Sequence, residues 1–223
     1  MADAATDENA ASHEDENVNE DGLLERTLDR VVSMNADLAR VHVRRFGAGK
    51  TGKTLLKRLD RQYRLTIAGS GAAVGASAIV PGVGTAAGVA LSAAQAVATL
   101  EATMLYVLSY AEATGVEVGD VERRRVLLMT VLLGESGTRL VEKVLGDSDE
   151  HWGALLAHGV PAEVVHRVNA QLRGKFLARY GVASAAIAVA RLLPFGAGAA
   201  VGAVAGAASS GAVVRATRKA FDV

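Results

Sequence analysis

Two uncharged stretches organise the hydrophobic and polar pattern of this chain. Leu65 to Leu100 contains no Asp, Glu, Lys or Arg, is built largely of Ala, Gly, Val, Ser and Thr, and is cut near its middle by Val80-Pro81-Gly82-Val83-Gly84. Proline and glycine interrupt helices, so the stretch predicts two apolar helices folded back on each other, with Pro81, Gly82 and Gly84 as the hinge. Gly181 to Val214 repeats the design. An Ala/Val-rich segment meets Leu193-Pro194-Phe195-Gly196-Ala197-Gly198, and a further Ala/Gly run follows; Pro194, Gly196 and Gly198 form the second hinge.

Between and before these hairpins the spacing is helical. Leu24, Leu28, Val31, Val32 and Leu38 form one stripe of an amphipathic helix starting at Leu23. Met104, Leu105, Leu108 and Ala111 continue the first hairpin as a helix to Ala113, and Gly115 and Gly119 mark a break. Asp120 is an N-cap for a helix whose Val126 to Leu133 run is buried and which Gly146 ends. A short helix runs through Trp152 and Leu156. Pro161 fits the first turn of the next helix, which gathers Val165, Val168, Leu172, Phe176 and Tyr180 on one side. No segment alternates as a half-buried strand does. The expected fold is all-α: a helical bundle with two Gly/Ala-rich, Pro-hinged apolar hairpins, at 65–100 and 181–214, in a single domain spanning 23–223.

Charge changes the picture at two places. Residues 1–22 carry eight carboxylates and no Lys or Arg, although the whole chain balances 24 bases against 24 acids. So acidic a segment buries too little apolar surface to offset the entropy of ordering, which predicts a disordered tail, the alternative being a docking or autoinhibitory tail that folds back on the basic segment that follows; its polarity is also opposite to the layout of a cleaved export signal. From Arg40 to Arg64 the chain gathers nine Lys and Arg against one acid, Asp60, a cationic collar just before the first hairpin. Cysteine is absent, which excludes disulfide and thiolate chemistry.

Within the collar, Gly47-Ala48-Gly49-Lys50-Thr51-Gly52-Lys53-Thr54 matches the phosphate-loop pattern GxxxxGK[ST]. Its setting does not fit, because Val41-His42-Val43-Arg44-Arg45-Phe46 places two arginines where a buried strand belongs, and the reading is a basic turn between two helices. The spacing GxGxxxG recurs from Gly69, Gly82 and Gly196. Three copies inside Ala-rich segments indicate helix packing, since glycines four apart share a face and let backbones approach. Gly71, Gly75, Gly84, Gly88, Gly198, Gly202 and Gly206 follow this rule. His151, His158 and His166 lack a carboxylate cluster that would complete a metal site, and Gly134-Glu135-Ser136-Gly137 lacks the second spacer of a nucleophile elbow and marks a helix irregularity. Glu101 and Glu112 are interfacial carboxylates near arginines or, in lipid, pore-lining groups. Basic residues without interleaved aromatics do not form a single-strand nucleic-acid surface. No catalytic, cofactor or metal residues are expected.

A spanning helix needs about 20 apolar residues. Each limb of 65–100 has fewer, so that hairpin dips or tilts; Leu192 to Val214 is long enough to cross, and Arg191 at mid-bilayer would cost at least about 2.5–3.5 kcal/mol. Arg58, Arg61 and Arg64 precede the first hairpin, and Arg215, Arg218 and Lys219 follow the second, all on the cytoplasmic face under the positive-inside rule. Anionic headgroups are the ligand these residues suit.

Val80-Pro81-Gly82-Val83-Gly84-Thr85, Leu100-Glu101-Ala102, Val131-Leu132-Leu133-Gly134-Glu135, Leu193-Pro194-Phe195-Gly196-Ala197-Gly198 and Ala220-Phe221, in this order and spacing, resemble the EcsC family of bacterial proteins in its actinobacterial form. The resemblance spans roughly Leu38 to Val223. It implies a helical, membrane-associated protein and brings no established activity with it. With the charge placement, the expected function is that of a non-enzymatic protein at the cytoplasmic membrane, its hairpins inserted from the cytoplasmic side, acting through a membrane-protein partner or a second copy of itself. The alternatives are a soluble helical scaffold and a nucleotide-binding protein using Gly47–Thr54.

Overall fold

The structure, a computed structural model, describes residues 22, 25–34, 36–47, 49–77, 85–146, 151–180 and 197–221, with residues 71–77, 85–93, 180 and 197–206 described as backbone only. Among the described residues the only regular secondary structure is helical, joined by turns, with no strand. We number the helices α1 (25–32), α2 (Ala36–Gly47), α3 (Gly52–Ser77), α4 (Thr85–Thr114), α5 (Val121–Leu133), α6 (Glu135–Leu145), α7 (Trp152–His158), α8 (Ala162–Tyr180) and α9 (Ala197–Phe221).

The collar and the first apolar limb are one continuous helix, α3, and the second limb runs without interruption into the Met104–Ala111 segment as α4. Tyr63 on α3 meets Thr103 on α4, and Asp60, one turn earlier, meets Tyr106, about one turn later. Contacts that advance in opposite directions make the two helices antiparallel. The expected hinge of the first hairpin, at Pro81, Gly82 and Gly84, lies outside the described residues. Of the second hairpin, 181–196, including Pro194 and Gly196, also lies outside them. Its later limb, α9, makes its most extensive contact with α3. Asp60, near the start of α3, meets Arg218, near the end of α9, so an interface of that extent also runs antiparallel. Helix α3 is thus packed between α4 and α9.

Local chemistry explains several helix ends. The Asp120 side chain accepts from the Arg123 amide at 3.0 Å, as an N-cap should. Gly146 closes α6 with φ +81°, and the Pro161 carbonyl accepts from Val164 and Val165 as α8 begins. Val165, Val168, Leu172 and Phe176 are all buried.

Two expected helices are each divided. The stripe from Leu24 to Leu38 breaks at Ser33 and Met34, where the Ser33 hydroxyl donates to the Asp29 carbonyl and Arg124 donates to the Met34 carbonyl at 2.8 Å. Hydroxyl-to-carbonyl bonding of this kind competes with the helix ladder. Leu28, Val31 and Val32 remain buried, but Leu38 falls on the new helix α2 and is 52% exposed. The helix expected from Asp120 to Gly146 breaks at Gly134, which takes φ +62° and ψ −132°. A Cβ at Gly137 would lie 2.6 Å from the Thr130 carbonyl oxygen, so the start of α6 folds tightly against α5.

Three consecutive arginines join the helices that surround α5. Arg123 donates to the carbonyls of Leu156 and Val160, Arg124 to those of Val118 and Met34, and Arg125 pairs with Asp29 at 2.9 Å. Asn169 on α8 adds a 2.8 Å bond to the Glu122 carboxylate. The Arg123 and Arg124 bonds satisfy carbonyls at or near helix ends, where intrahelical donors are missing. Trp152 and Leu156 of α7 are buried, and Gly153 lies where a Cβ would come within 2.6 Å of the Ala220 carbonyl oxygen.

Gly153→Ala should therefore lower stability by about 1–3 kcal/mol through overpacking. Gly174→Ala, in the exposed face of α8 with nothing within 4 Å, should raise it by about 0.5–1 kcal/mol. Urea unfolding followed by circular dichroism reads both, and equal midpoints for the two variants would contradict the close approach at Gly153.

Candidate functional site

The outer face of α3 and the end of α2 form an open cationic groove. Gly47 closes α2 against the first turn of α3, since a Cβ there would stand 2.9 Å from a Leu55 methyl carbon. The connecting turn uses Gly49 and Gly52 at positive φ and a 2.8 Å bond from the Lys50 amide to the Gly47 carbonyl. Helix α3 then sorts its residues by period. Leu56, Leu59, Asp60, Tyr63 and Ile67 turn inward and are buried, whereas Lys57, Arg58, Arg61, Arg64 and Leu65 are exposed. Phe46, Lys50, Lys57, Arg58, Arg61 and Leu65, with Thr54, Gln62 and Thr66, line a solvent-open groove of about 790 Å³. A cleft of about 380 Å³ adjoins it, lined by Lys57, Asp60, Arg61, Arg64, Leu65 and Arg218.

The groove cations lack carboxylate partners, and so, among the described residues, do Arg44, Arg45, Lys53, Lys143, Arg167, Lys175 and Arg215. Among the described residues, Lys50, Lys57, Arg58, Arg61 and Arg64 have no carboxylate partner, whereas Arg30, Arg40, Arg125, Arg173, Arg218 and Lys219 each have one. The positive end of the α3 dipole adds to the field beside Lys50. His42 contributes no further charge at neutral pH, because burial holds it below its ordinary value against an opposing hydrogen bond with Gln62. Among the described residues, four of the five exposed large hydrophobic side chains also lie on these two helices: Leu38, Val41 and Phe46 on α2, and Leu65 on α3 at 63% exposure. The Phe46 ring contacts His42, with centroids 4.7 Å apart, and has the Arg45 guanidinium 5.7 Å from its centre.

Beneath the groove lies a buried polar tie. Asp60 is 4% exposed. It accepts from the Tyr106 hydroxyl at 2.6 Å, and two nitrogens of the Arg218 guanidinium donate to its other oxygen, one at 3.0 Å. Tyr106 stacks on Tyr63 at 4.5 Å and meets Tyr110 edge-on at 5.8 Å, and Tyr110 in turn approaches Phe221 at 6.0 Å. The Tyr63 hydroxyl shares a 2.9 Å bond with Thr103. Burial first, and then its bond to Asp60, push the Tyr106 phenol far above its ordinary value. Burial and the Asp60 charge push Tyr110 up to about 12, with Arg218 pulling the other way.

The structure sorts the headgroup candidates into groups. Arg58, Arg61 and Arg64 come together on α3, and Arg215 is exposed on α9. Arg218 is committed to Asp60, and Lys219 pairs with Glu142 at 2.8 Å. Gly71 and Gly75 lie in α3, Gly88 in α4, and Gly198, Gly202 and Gly206 in α9; the faces they meet lie outside the described residues. Gly198, one of the residues of the second expected hinge, lies in the first turn of α9. The phosphate-loop pattern joins helix to helix, with Lys53 and Thr54 exposed in the first turn of α3, so the strand that such a loop follows is replaced by α2. Glu101 and Glu112 are half-exposed and face Arg30 and Arg40 at 3.8 and 3.6 Å. His151, His158 and His166 are exposed, and among the described residues no group of three or more potential ligands is placed to hold a metal ion.

Two features escape sequence reasoning. The Asp60 tie had one available signal, a lone acid among nine bases at a position that falls on the apolar face of α3. The exposed Leu38, Val41 and Phe46 had none, because their helical face is decided by the break before α2. The chain matches no family model, no curated protein and no solved structure.

Asp60→Asn should cost about 1–3 kcal/mol, below the full value for a buried pair because the Arg218 side chain is 41% exposed. Denaturant unfolding checks this, and a loss under about 0.5 kcal/mol would place the tie outside the stabilising core. A phenol whose folded pKa is raised favours folding fully below its unfolded value near 10 and loses that contribution as pH rises toward the folded value. Stability should therefore fall above about pH 10, and Tyr106→Phe should flatten that fall in urea titrations between neutral and alkaline pH.

Proposed function

We propose that this is a non-enzymatic helical protein of the EcsC type that associates with anionic membrane from the cytoplasmic side. The observation that carries the reading is the combination, on α2 and α3, of cations without carboxylate partners among the described residues and four exposed large apolar side chains. Amphipathic helices that rest on lipid combine these features: Lys and Arg meet phosphate while large apolar groups enter the acyl boundary. Each nearby cation contributes about 1 kcal/mol, reduced by salt. The groove also continues directly into the uncharged part of α3, so a surface held at Arg58 and Arg61 sits next to the first apolar hairpin.

Among the described residues no helix is long and apolar enough to cross a membrane. The reading therefore has the protein docked on the headgroups with its hairpins dipping into the lipid, and it assigns no crossing to Leu192–Val214. Partner or self association would use the glycine positions of α3, α4 and α9, where small side chains permit close helix approach.

The full-length protein should co-sediment with vesicles containing phosphatidylglycerol and not with purely zwitterionic ones. The triple change Lys57→Gln, Arg58→Gln, Arg61→Gln should weaken that binding at least about tenfold, since three contacts of about 1 kcal/mol amount to more than a hundredfold before screening. Binding to neither vesicle would remove the membrane reading and leave the helical scaffold in first place. Retention of the expressed protein in membranes after both high-salt and alkaline washes would separate inserted hairpins from surface attachment alone.

A further inference from the structure

We propose that the cationic groove between α2 and α3 is also the docking surface for the chain's own acidic segment, residues 1–22, which occupies it in competition with anionic lipid. The competition rests on the membrane reading above; the docking does not.

Charge identifies the occupant. Residues 1–22 hold Asp3, Asp7, Glu8, Glu14, Asp15, Glu16, Glu20 and Asp21 with no Lys or Arg, so the remaining residues carry sixteen acids against 24 bases. That excess is concentrated. Of the paired cations, Arg30, Arg40, Arg125, Arg173, Arg218 and Lys219 are engaged with Glu101, Glu112, Asp29, Glu25, Asp60 and Glu142, whereas eight of the nine Lys and Arg from Arg40 to Arg64 have no carboxylate partner among the described residues. Lys50, Lys57, Arg58 and Arg61 converge on one open groove, with Arg64 next to them, and meet no carboxylate among the described residues. The surface most in need of anions and the segment with anions to offer thus belong to the same chain.

Reach allows the contact. Twenty-two residues can span up to about 70 Å, whereas a folded domain of about 200 residues has a radius of gyration near 16 Å. Attachment to the same chain gives the segment an effective concentration in the millimolar range, so weak charge-to-charge contacts suffice to fill the groove. The acidic segment has little apolar surface to bury, its largest such groups being Met1 and Val18. Its docking is accordingly electrostatic and should be displaced by salt.

Zero-length carbodiimide cross-linking of the full chain without lipid tests the docking, because it joins only a lysine and a carboxylate already in contact. Mass spectrometry should find links from residues 1–22 to Lys50 or Lys57 within monomers, and these should disappear in 0.5 M salt. Links confined to Lys143 or Lys175, links found only in dimers, or no links to the segment would overturn the proposal. In parallel, the full chain with the eight carboxylates of residues 1–22 changed to Asn or Gln is compared with wild type on phosphatidylglycerol vesicles. If the segment fills nine-tenths of the grooves, neutralising it should raise affinity about tenfold. Correct cross-links with unchanged vesicle affinity overturn the competition. Correct cross-links with no vesicle binding by either protein leave the docking standing and remove the membrane reading. Vesicle binding without cross-links does the reverse.

Discussion

A carboxylate taken almost out of water needs partners, and the Asp60 carboxylate finds them on two other helices. The Tyr106 hydroxyl comes from α4 and the Arg218 guanidinium from α9, so one side chain of α3 joins three of the longest helices in the bundle. An unpaired buried charge is among the costliest defects a fold can carry. This makes the tie a constraint on arrangement as much as a source of stability: shifting α4 or α9 along α3 by one turn would strand the charge. The aromatic ladder from Tyr63 to Phe221 follows the same junction and fixes spacing where the flanking helices are rich in Ala and Gly. Small residues permit many close packings, and the polar tie selects among them.

Helix α3 consequently has two faces with separate tasks. Its inner residues belong to the core, and its outer ones carry charge that the described fold does not neutralise. Asp60 and Arg61 are neighbours in the chain, yet one is buried in an ion pair and the other faces solvent. Charge changes on the outer face leave the core contacts intact, because no cation there has a described carboxylate partner. Surface chemistry and stability can thus vary independently along one helix.

Much of this was legible in the residues. Helical period alone identified the buried faces at Val165, Val168, Leu172 and Phe176 and at Leu28, Val31 and Val32. Asp120, Gly146 and Pro161 marked ends because capping is local chemistry, settled within four residues. The break at Gly134 was recognisable only as an irregularity, since a glycine within an apolar run can continue a helix or leave it, and the choice depends on how α6 packs on α5. The break at Ser33 depends partly on Arg124, ninety residues away, which no local pattern contains. In the site, the cations of α3 were evident from composition. Removing Arg218 and Lys219 from that set required Asp60 and Glu142, whose proximity only the folded chain establishes.

The separation of Asp60 from Arg218 by 158 residues bears on the order of synthesis. Helices α3 and α4 leave the ribosome well before α9, and contacts between distant parts of a chain form late. Until α9 arrives, the face of α3 that it covers has no permanent neighbour, and Asp60 has only its tyrosine. During that interval the nascent hairpin is a temporary client for whatever apolar or basic surface lies nearby, and its early surroundings can differ from those of the finished molecule.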